Sequence, residues 1–294
     1  MNDFLLTIFT PTYNRAHTIV RTYESMRKQT CQKFVWLIID DGSEDGTRSL
    51  VEQWIKDDND FEIRYIYKEN GGMHTAHNTA YENIDTDLNM CIDSDDCLAI
   101  DAVEGIYAKW NQIKEGNYAG IIGLDADMQG NIIGTDFPEG MKETTLTGYY
   151  AQGGKGDKKL VYRTEIIKKY PAYPVFDGEK YFGLDYKYRI IDQTYKLAVL
   201  NDVLCNVEYQ QNGSSATMWK QYLYNPKGFA ALRILYLKYA VSNKRAFVDA
   251  AHYVSSSLIS NNWGFFSKSP KKGITLCAIP VGVILACVTR IRGR

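Results

Sequence analysis

The sequence predicts an α/β protein built on a mostly parallel sheet flanked by helices, with a helical extension behind it. Three observations carry that prediction. Apolar runs of strand length alternate with helix-period segments through the first 125 residues, the pattern of repeated strand-helix-strand units. Each run ends in a polar loop, and those loops hold the chain's least ordinary residues. After about residue 215 the alternation stops and the pattern becomes helical and Tyr-rich.

The strand candidates are FLLTIFT (4–10), FVWLIID (34–40), IRYIY (63–67), LNMCI (88–92) and YAGIIGL (118–124). They are rich in β-branched and aromatic residues and too continuously apolar to be one face of a surface helix. Helix candidates fall between them at 16–29, 46–56, 74–84 and 101–114. Beyond residue 125, GNIIGTDFPEG has the turn residues of a hairpin, and KLVYRTEIIKKYPAYPVF (159–176) reads as a strand or a short helix bounded by prolines. GLDYKYRIIDQTY (183–195) is a helix candidate and KLAVLNDVLCNVEY (196–209) a further strand. A boundary near 215 divides the chain into a sheet domain, 1–215, and a helical extension, 216–294.

The extension ends in ITLCAIPVGVILACV (274–288), an uncharged run between Lys268, Lys271 and Lys272 on one side and Arg290, Arg292 and Arg294 on the other. It is shorter than the roughly 20 apolar residues of a spanning helix, and Pro280 and Gly282 interrupt it. A helix lying in the surface of an anionic leaflet is expected, with a buried core helix as the alternative. The N-terminus, MNDFLLTIFT, lacks the basic and long apolar regions of a signal peptide. The expected location is cytoplasmic, peripheral on the inner face of the cell membrane.

Composition narrows the function classes. Lys plus Arg number 34 against 35 Asp plus Glu, a formal charge of −1, so no general attraction to nucleic acid is expected. Six cysteines show no CxxC pair and no zinc-site spacing, as in a chain with reduced, mostly buried thiols.

The chemistry lies in the loops: TPTYNR after the first strand, DDGSEDGT after the second, ENGGMHTAHN after the third and DSDD after the fourth. In open α/β sheets ligands bind beyond the carboxyl ends of strands, so four such loops point to one site. In CIDSDDCL, the carboxylates of Asp93, Asp95 and Asp96 crowd together after a buried run and repel one another unless something positive is near. If the strand continues through them, Asp93 and Asp95 share one face and Ser94 and Asp96 the other. Hard oxygen ligands at this spacing suit Mg²⁺ or Mn²⁺ completed by substrate phosphates. A D-x-D alone is also a common surface feature, and Ser43 or Asp45 would serve as a helix cap. Capping does not account for the adjacent Asp40 and Asp41, where a carboxylate suits the imide N–H of uracil.

TPTYNR, DDGSEDGT, NGGMHTAHN and DSDD, in this order and spacing, resemble glycosyltransferase family 2, inverting enzymes of the GT-A fold, over roughly residues 4 to 210. The resemblance implies a metal-dependent transfer of a sugar from a nucleotide-sugar donor, a UDP-sugar, to a hydroxyl of a lipid-linked or growing glycan, as in cell-surface polysaccharide synthesis. It implies that Pro11, Thr12, Tyr13, Asn14 and Arg15 line the nucleoside, with Tyr13 stacking on the base, and that Asp41 is the uracil-binding carboxylate while Asp40 supports the loop. Asp93 and Ser94 then lie near the ribose and sugar, and Asp95 and Asp96 match the metal and ribose ligands, with the choice between them open. Gly71 and Gly72 permit a tight turn, and Asn78 matches a helix asparagine of the family. Many relatives carry Arg before that asparagine, where this chain has His77; His77 or His74 is left as a diphosphate donor, or as a core histidine. Asp185, in FDGEKYFGLDYKYR, stands where the family places its general base, with Glu179 the runner-up and Asp177 behind both; the structural alternative for Asp185 is a first-turn helix carboxylate. Tyr149, Tyr150, Gly153 and Gly154 are candidates for the acceptor channel. Rival readings are a sugar nucleotidyltransferase, which would show a Gly-rich loop after the first strand, and a non-catalytic nucleotide-sugar binder.

Overall fold

The computed structural model describes residues 4–57, 59–208 and 217–294. They form two compact units: residues up to 172 together with 187–208, and residues 173–186 together with the described residues from 217 onward.

In the first unit the strands are β1 (Leu6–Thr12), β2 (Phe34–Asp40), β3 (Glu62–Tyr67), β4 (Leu88–Cys91), β5 (Cys97–Leu98), β6 (Tyr118–Asp127), β7 (Glu143–Thr144), β8 (Lys158–Arg163) and β9 (Lys196–Val207). They make one sheet in the order β3-β2-β1-β4-β8-β6-β9-β5, with β7 paired to β9. The half formed by β3, β2, β1 and β4 is parallel throughout. Beyond it the sheet is mixed: β8 runs antiparallel to both β4 and β6, and β6 and β9 are parallel. Helices α1 (Ile19–Arg27), α2 (Thr47–Lys56), α3 (Met73–Asn83) and α4 (Ala102–Ile113) follow strands, as the alternation requires. The shorter α5 (Leu146–Ala151) and α6 (Thr164–Lys169) belong to the same unit. The stretch read as strand or short helix is both, β8 followed by α6.

β1 and β2 are buried at all seven positions, which explains their continuously apolar reading in a sheet covered on both faces. On one face Trp36 of β2 lies in an aromatic group with Tyr23 of α1 and Trp54 of α2, whose rings stack with centroids 4.3 Å apart. The Trp36 indole N–H donates to Thr10 Oγ1 at 2.9 Å, so the polar atom of this large side chain is satisfied inside the core. Register does the positioning: Thr12 faces Asp40, Phe9 faces Cys91 and Asp40 faces Tyr67. The loops after β1, β2 and β3 therefore start at one level of the sheet, and the loop after β4 starts lower, opposite Phe9.

The helix read at 183–195 is shorter, α7 (Asp185–Ile191), and the unit boundary falls within it, after Tyr186. The second unit further contains α8 (Met218–Tyr224), α9 (Pro226–Lys238), α10 (Asn243–Ile259), α11 (Phe265–Lys268) and α12 (Lys272–Arg292). Arg233 of α9 and Asp249 of α10, both almost fully buried, pair at 2.6 Å. Pro280 and Gly282 do not interrupt the tail: α12 is continuous over 21 residues, about 31 Å at the usual rise. Proline deletes one backbone donor, and the glycine has a packing use. Thr275, Ala278, Gly282, Ala286 and Thr289 form its buried stripe, and a Cβ on Gly282 would lie 2.5 Å from Val254 Cβ of α10. The opposite side exposes Leu276, Val283, Ile284 and Ile291, and the helix is long and apolar enough to cross a membrane by length and composition.

Candidate active site

The first two loops are stitched together by their own polar residues. Asn14 takes a left-handed conformation, φ 53°, which asparagine tolerates better than most residues. Its N–H donates to Ser43 Oγ at 2.9 Å while its Oδ1 accepts from Glu44 N at 2.8 Å. Asp45 Oδ2 accepts from Ala16 N at 3.0 Å. Of the two expected caps, Asp45 serves both the first loop and the helix: its Oδ1 accepts from Thr47 N, the first residue of α2, at 2.9 Å, while Ser43 binds the first loop and the N-cap position itself is Gly46. Pro11 and Thr12 are buried, Arg15 is half-buried, and Tyr13 is 47% exposed.

The two adjacent aspartates are both occupied. Asp40 accepts from Ser43 N and from the Tyr65 hydroxyl, each at 2.7 Å. Asp41, 4% exposed, gathers the next loop: Lys68 Nζ lies 2.5 Å from Oδ1, Gly71 N donates to Oδ1 at 3.0 Å and Gly72 N to Oδ2 at 2.7 Å. Asn70 Nδ2 donates to the Asp41 carbonyl at 2.8 Å. Gly42, at φ +88°, would place a Cβ 2.8 Å from Asn70 N, so this approach of loops requires glycine. Asp41 thereby anchors the turn that opens α3, a role the sequence reading gave only to Asp40, and Lys68 as its counter-charge was missed.

His74 and His77 lie on the buried side of α3. His77 is fully buried against the edge of Phe9, with ring centroids 4.9 Å apart, and contacts Tyr81 and Cys91. Burial, with Lys187 and His74 adding to it, lowers its pKa to about 3, and burial likewise lowers that of His74. Neutral core histidines cannot replace the charge of an arginine toward a diphosphate. Asn78 on the same helix is half-buried.

The DSDD segment is a turn, not a continued strand: β4 ends at Cys91 and Asp96 N donates to the Asp93 carbonyl at 3.1 Å. The alternation of exposure survives, with Asp93 and Asp95 half-buried and Ser94 and Asp96 buried. α1 holds the turn from outside, through Thr22 Oγ1 to the Asp96 carbonyl at 2.8 Å and Arg21 Nη2 to the Asp95 carbonyl at 3.2 Å. The Asp96 carboxylate points inward, accepting from Glu208 N at 3.3 Å and facing the Cys205 thiol. Burial, opposed by Lys159 and reinforced by Asp93 and Asp95, raises its pKa to about 7. Burial and then Asp93 also raise that of Asp95, against the pull of Arg15 and Arg21.

Two residues of this cluster escaped the sequence reading. Asp125, 2% exposed on β6, lies 3.9 Å from Lys159 Nζ of β8. Burial works against the Lys159 charge, but Asp125, Cys205, Asp96 and Asp93 outweigh it and hold the ammonium protonated. The positive charge demanded by the crowded carboxylates is therefore partly built in. A signal existed: strand alternation puts Lys159 on the same face as the core residue Val161, and a lysine there needs an acid.

Among the described residues no group of three or more His, Cys, Asp and Glu is placed to hold a metal ion. The half-buried pair Asp93 and Asp95 fits Mg²⁺ or Mn²⁺ nonetheless, since such ions take one or two carboxylates and complete their shell with phosphates and water.

In the second unit Glu179 is a capping carboxylate: Oε1 accepts from Lys227 N at 2.9 Å and Oε2 from Gly228 N at 2.8 Å, at the start of α9. With both oxygens on a helix terminus it is poorly placed to take a proton. Asp177 is exposed. Asp185 is the first residue of α7 and accepts from the Tyr236 hydroxyl through Oδ2. Of the tyrosines assigned to an acceptor channel, Tyr149 is a core residue bonded to Thr135, and Tyr150 is 42% exposed.

The burial of His77 sets a pH dependence. Its folded-state pKa lies below the ordinary value of 6.5, so the unfolded chain binds the proton first and stability falls as pH drops from about 6.5 toward 3, by at most ~1.4 kcal/mol per pH unit. Urea unfolding at pH 7 and pH 5 should show a larger loss for the wild type than for His77→Asn. Equal losses in the two proteins would contradict a neutral buried imidazole.

Comparison with known proteins agrees with this geometry. The family model described as glycosyl transferase family 2 matches residues 7–170. The chain is 38% identical over 107 residues to the teichoic acid poly(glycerol phosphate) polymerase of Staphylococcus epidermidis, a match covering 36% of this chain and 15% of that protein. Its fold is shared with S. aureus TarS residues 1–349 in complex with UDP-GlcNAc (TM-score 0.60, 16% identity, 98% of this chain and 88% of that one). It is also shared with the mannosyltransferase PcManGT of Pyrobaculum calidifontis in complex with GDP-Man and Mn²⁺ (TM-score 0.56, 17% identity, 96% and 87%). The strand-end loops, the acidic turn and the extent of the family match make the chain a member of glycosyltransferase family 2, with the GT-A type of α/β fold.

Proposed function

We propose that this glycosyltransferase moves one sugar from a UDP-linked donor, with inversion, to a hydroxyl of a lipid-linked or growing cell-surface glycan. The observation that carries the donor half is the half-buried carboxylate pair Asp93 and Asp95 above the buried Asp96, Asp125 and Lys159. The UDP-GlcNAc complex of one structural neighbour and the Mn²⁺ complex of another support a nucleotide-sugar and a divalent ion. The name of the staphylococcal relative supports a cell-surface polymer as the setting.

In this reading Tyr13 stacks on the nucleobase, and Asp41 acts through the Asn70–Gly72 turn that it holds. Asp93 and Asp95 are the residues that would hold Mg²⁺ or Mn²⁺, while Asp96, turned inward, supports the turn. When bound, the ion supplies Lewis-acid stabilisation of the departing diphosphate. Asp185 takes the proton of the acceptor hydroxyl as its oxygen attacks the anomeric carbon from the face opposite the diphosphate, and UDP leaves with the electron pair of the broken bond. The basic-flanked, apolar outer face of α12 lies on an anionic membrane surface, where a lipid-linked acceptor is found.

Incubating the full chain with Mn²⁺, a lipid-linked glycan acceptor, a panel of UDP-sugars and GDP-mannose, and measuring nucleotide released above a control without acceptor, tests the transfer. Release from at least one UDP-sugar is expected, falling on the order of 100-fold in Asp95→Asn; release from GDP-mannose alone would overturn the donor assignment. Co-sedimentation tests the surface helix. Wild type should pellet with vesicles containing anionic lipid, and the variant Leu276→Ser, Ile284→Ser, Ile291→Ser should remain in solution. Equal pelleting of both would refute membrane contact through this face.

A further inference from the structure

The helical unit holds a hydrogen-bonded and charged chain of side chains that ends on Asp185. Tyr236 of α9 donates its hydroxyl to Asp185 Oδ2. One helical turn earlier on the same face, the Arg233 guanidinium covers the Tyr236 ring at 5.2 Å from its centroid. Arg233 Nη1 donates to Asp249 Oδ1 at 2.6 Å, and Asp249 Oδ2 accepts from Arg245 Nε at 3.2 Å. Arg233 is 9% exposed and Asp249 1%. A buried pair of this kind is costly unless its geometry is well satisfied, and the Tyr236 ring is one of the surfaces that it packs against.

We infer that Tyr236 is a positioning residue for Asp185, held in place by the Arg233, Asp249 and Arg245 network. The inference rests on the reading of Asp185 as the general base. A carboxylate acting as base works best when a third group fixes its orientation, as in other nucleophile and base arrangements. Here the Tyr236 O–H fixes the orientation of the Asp185 carboxylate through Oδ2, and that carboxylate takes the proton of the acceptor hydroxyl as the new glycosidic C–O bond forms and the bond to the diphosphate breaks. Tyr236 itself neither gains nor loses a proton. A helical segment far along the sequence thereby acts on the transfer step, apart from any membrane role of α12.

The test is kinetic. Tyr236→Phe keeps the ring under Arg233 and removes only the hydroxyl. Its kcat should fall on the order of tenfold, with the UDP dissociation constant and the urea midpoint close to wild type. In an Asp185→Glu background, where the carboxylate sits one methylene further out and the inference expects its bond to Tyr236 to be broken, the same substitution should change kcat less than about twofold. An equal fractional loss in the two backgrounds, or an unchanged kcat in the single variant, would overturn the inference. Asp185→Asn separates the two claims: wild-type turnover there would remove the base assignment and this inference with it. Loss of turnover there, with no effect of Tyr236→Phe, would remove the inference alone.

Discussion

Carboxylates at the ends of buried strands must find compensation inside the protein, and the first unit is organised around that constraint. An uncompensated buried charge costs several kcal/mol, and here Asp40, Asp41, Asp96 and Asp125 are all nearly inaccessible. Each is answered differently. Asp40 takes a backbone N–H and a tyrosine hydroxyl, Asp41 a lysine and two glycine N–H groups, Asp96 a backbone N–H and Asp125 the ammonium of Lys159. Asp93 and Asp95 keep contact with solvent. They are the pair proposed to receive an external cation and diphosphate.

The same compensation ties the loops into one surface. Asp41 cannot hold Gly71 and Gly72 unless Gly42 lets Asn70 approach, and Asn14 and Ser43 fasten the first loop to the second. Because β1, β2, β3 and β4 are parallel and in register, these bonds form at one edge of the sheet. A rigid scaffold carrying polar loops at that edge is the arrangement on which open α/β sheets build ligand sites.

What was legible in the sequence followed from how sharply a residue's surroundings are dictated. β2 was placed residue for residue, because full burial on both faces leaves an unbroken apolar run bounded by charge. The loops were legible as strand ends because each follows an unbroken apolar run, but their glycines and acids also tie the loops together, which the sequence alone does not separate from ligand binding. The antiparallel insertion of β8 between β4 and β6 was not, since a period-2 pattern carries no direction. Lys159 and Lys68 were missed for a related reason: lysine is abundant on surfaces, and only tertiary contact reveals one that answers a buried acid. The family resemblance ranks Asp185 above Glu179, six residues away, and the two differ in what holds them. Backbone N–H donors at the start of α9 hold both oxygens of Glu179, and the Tyr236 hydroxyl donates to Asp185. Pro280 suggested an interruption that α12 does not have, since a helix tolerates one missing donor when small residues secure its packed face.

The central claim is that the Asp93 and Asp95 pair receives a divalent ion together with a nucleoside diphosphate. Calorimetric titration of UDP into the full chain, with Mn²⁺ and again with EDTA, addresses it most directly, since it requires neither acceptor nor knowledge of the sugar. The account predicts binding with Mn²⁺ that is lost in EDTA. Equal affinity for UDP in the two conditions would contradict it, leaving Lys159 and the neighbouring arginines as the charges that hold the diphosphate.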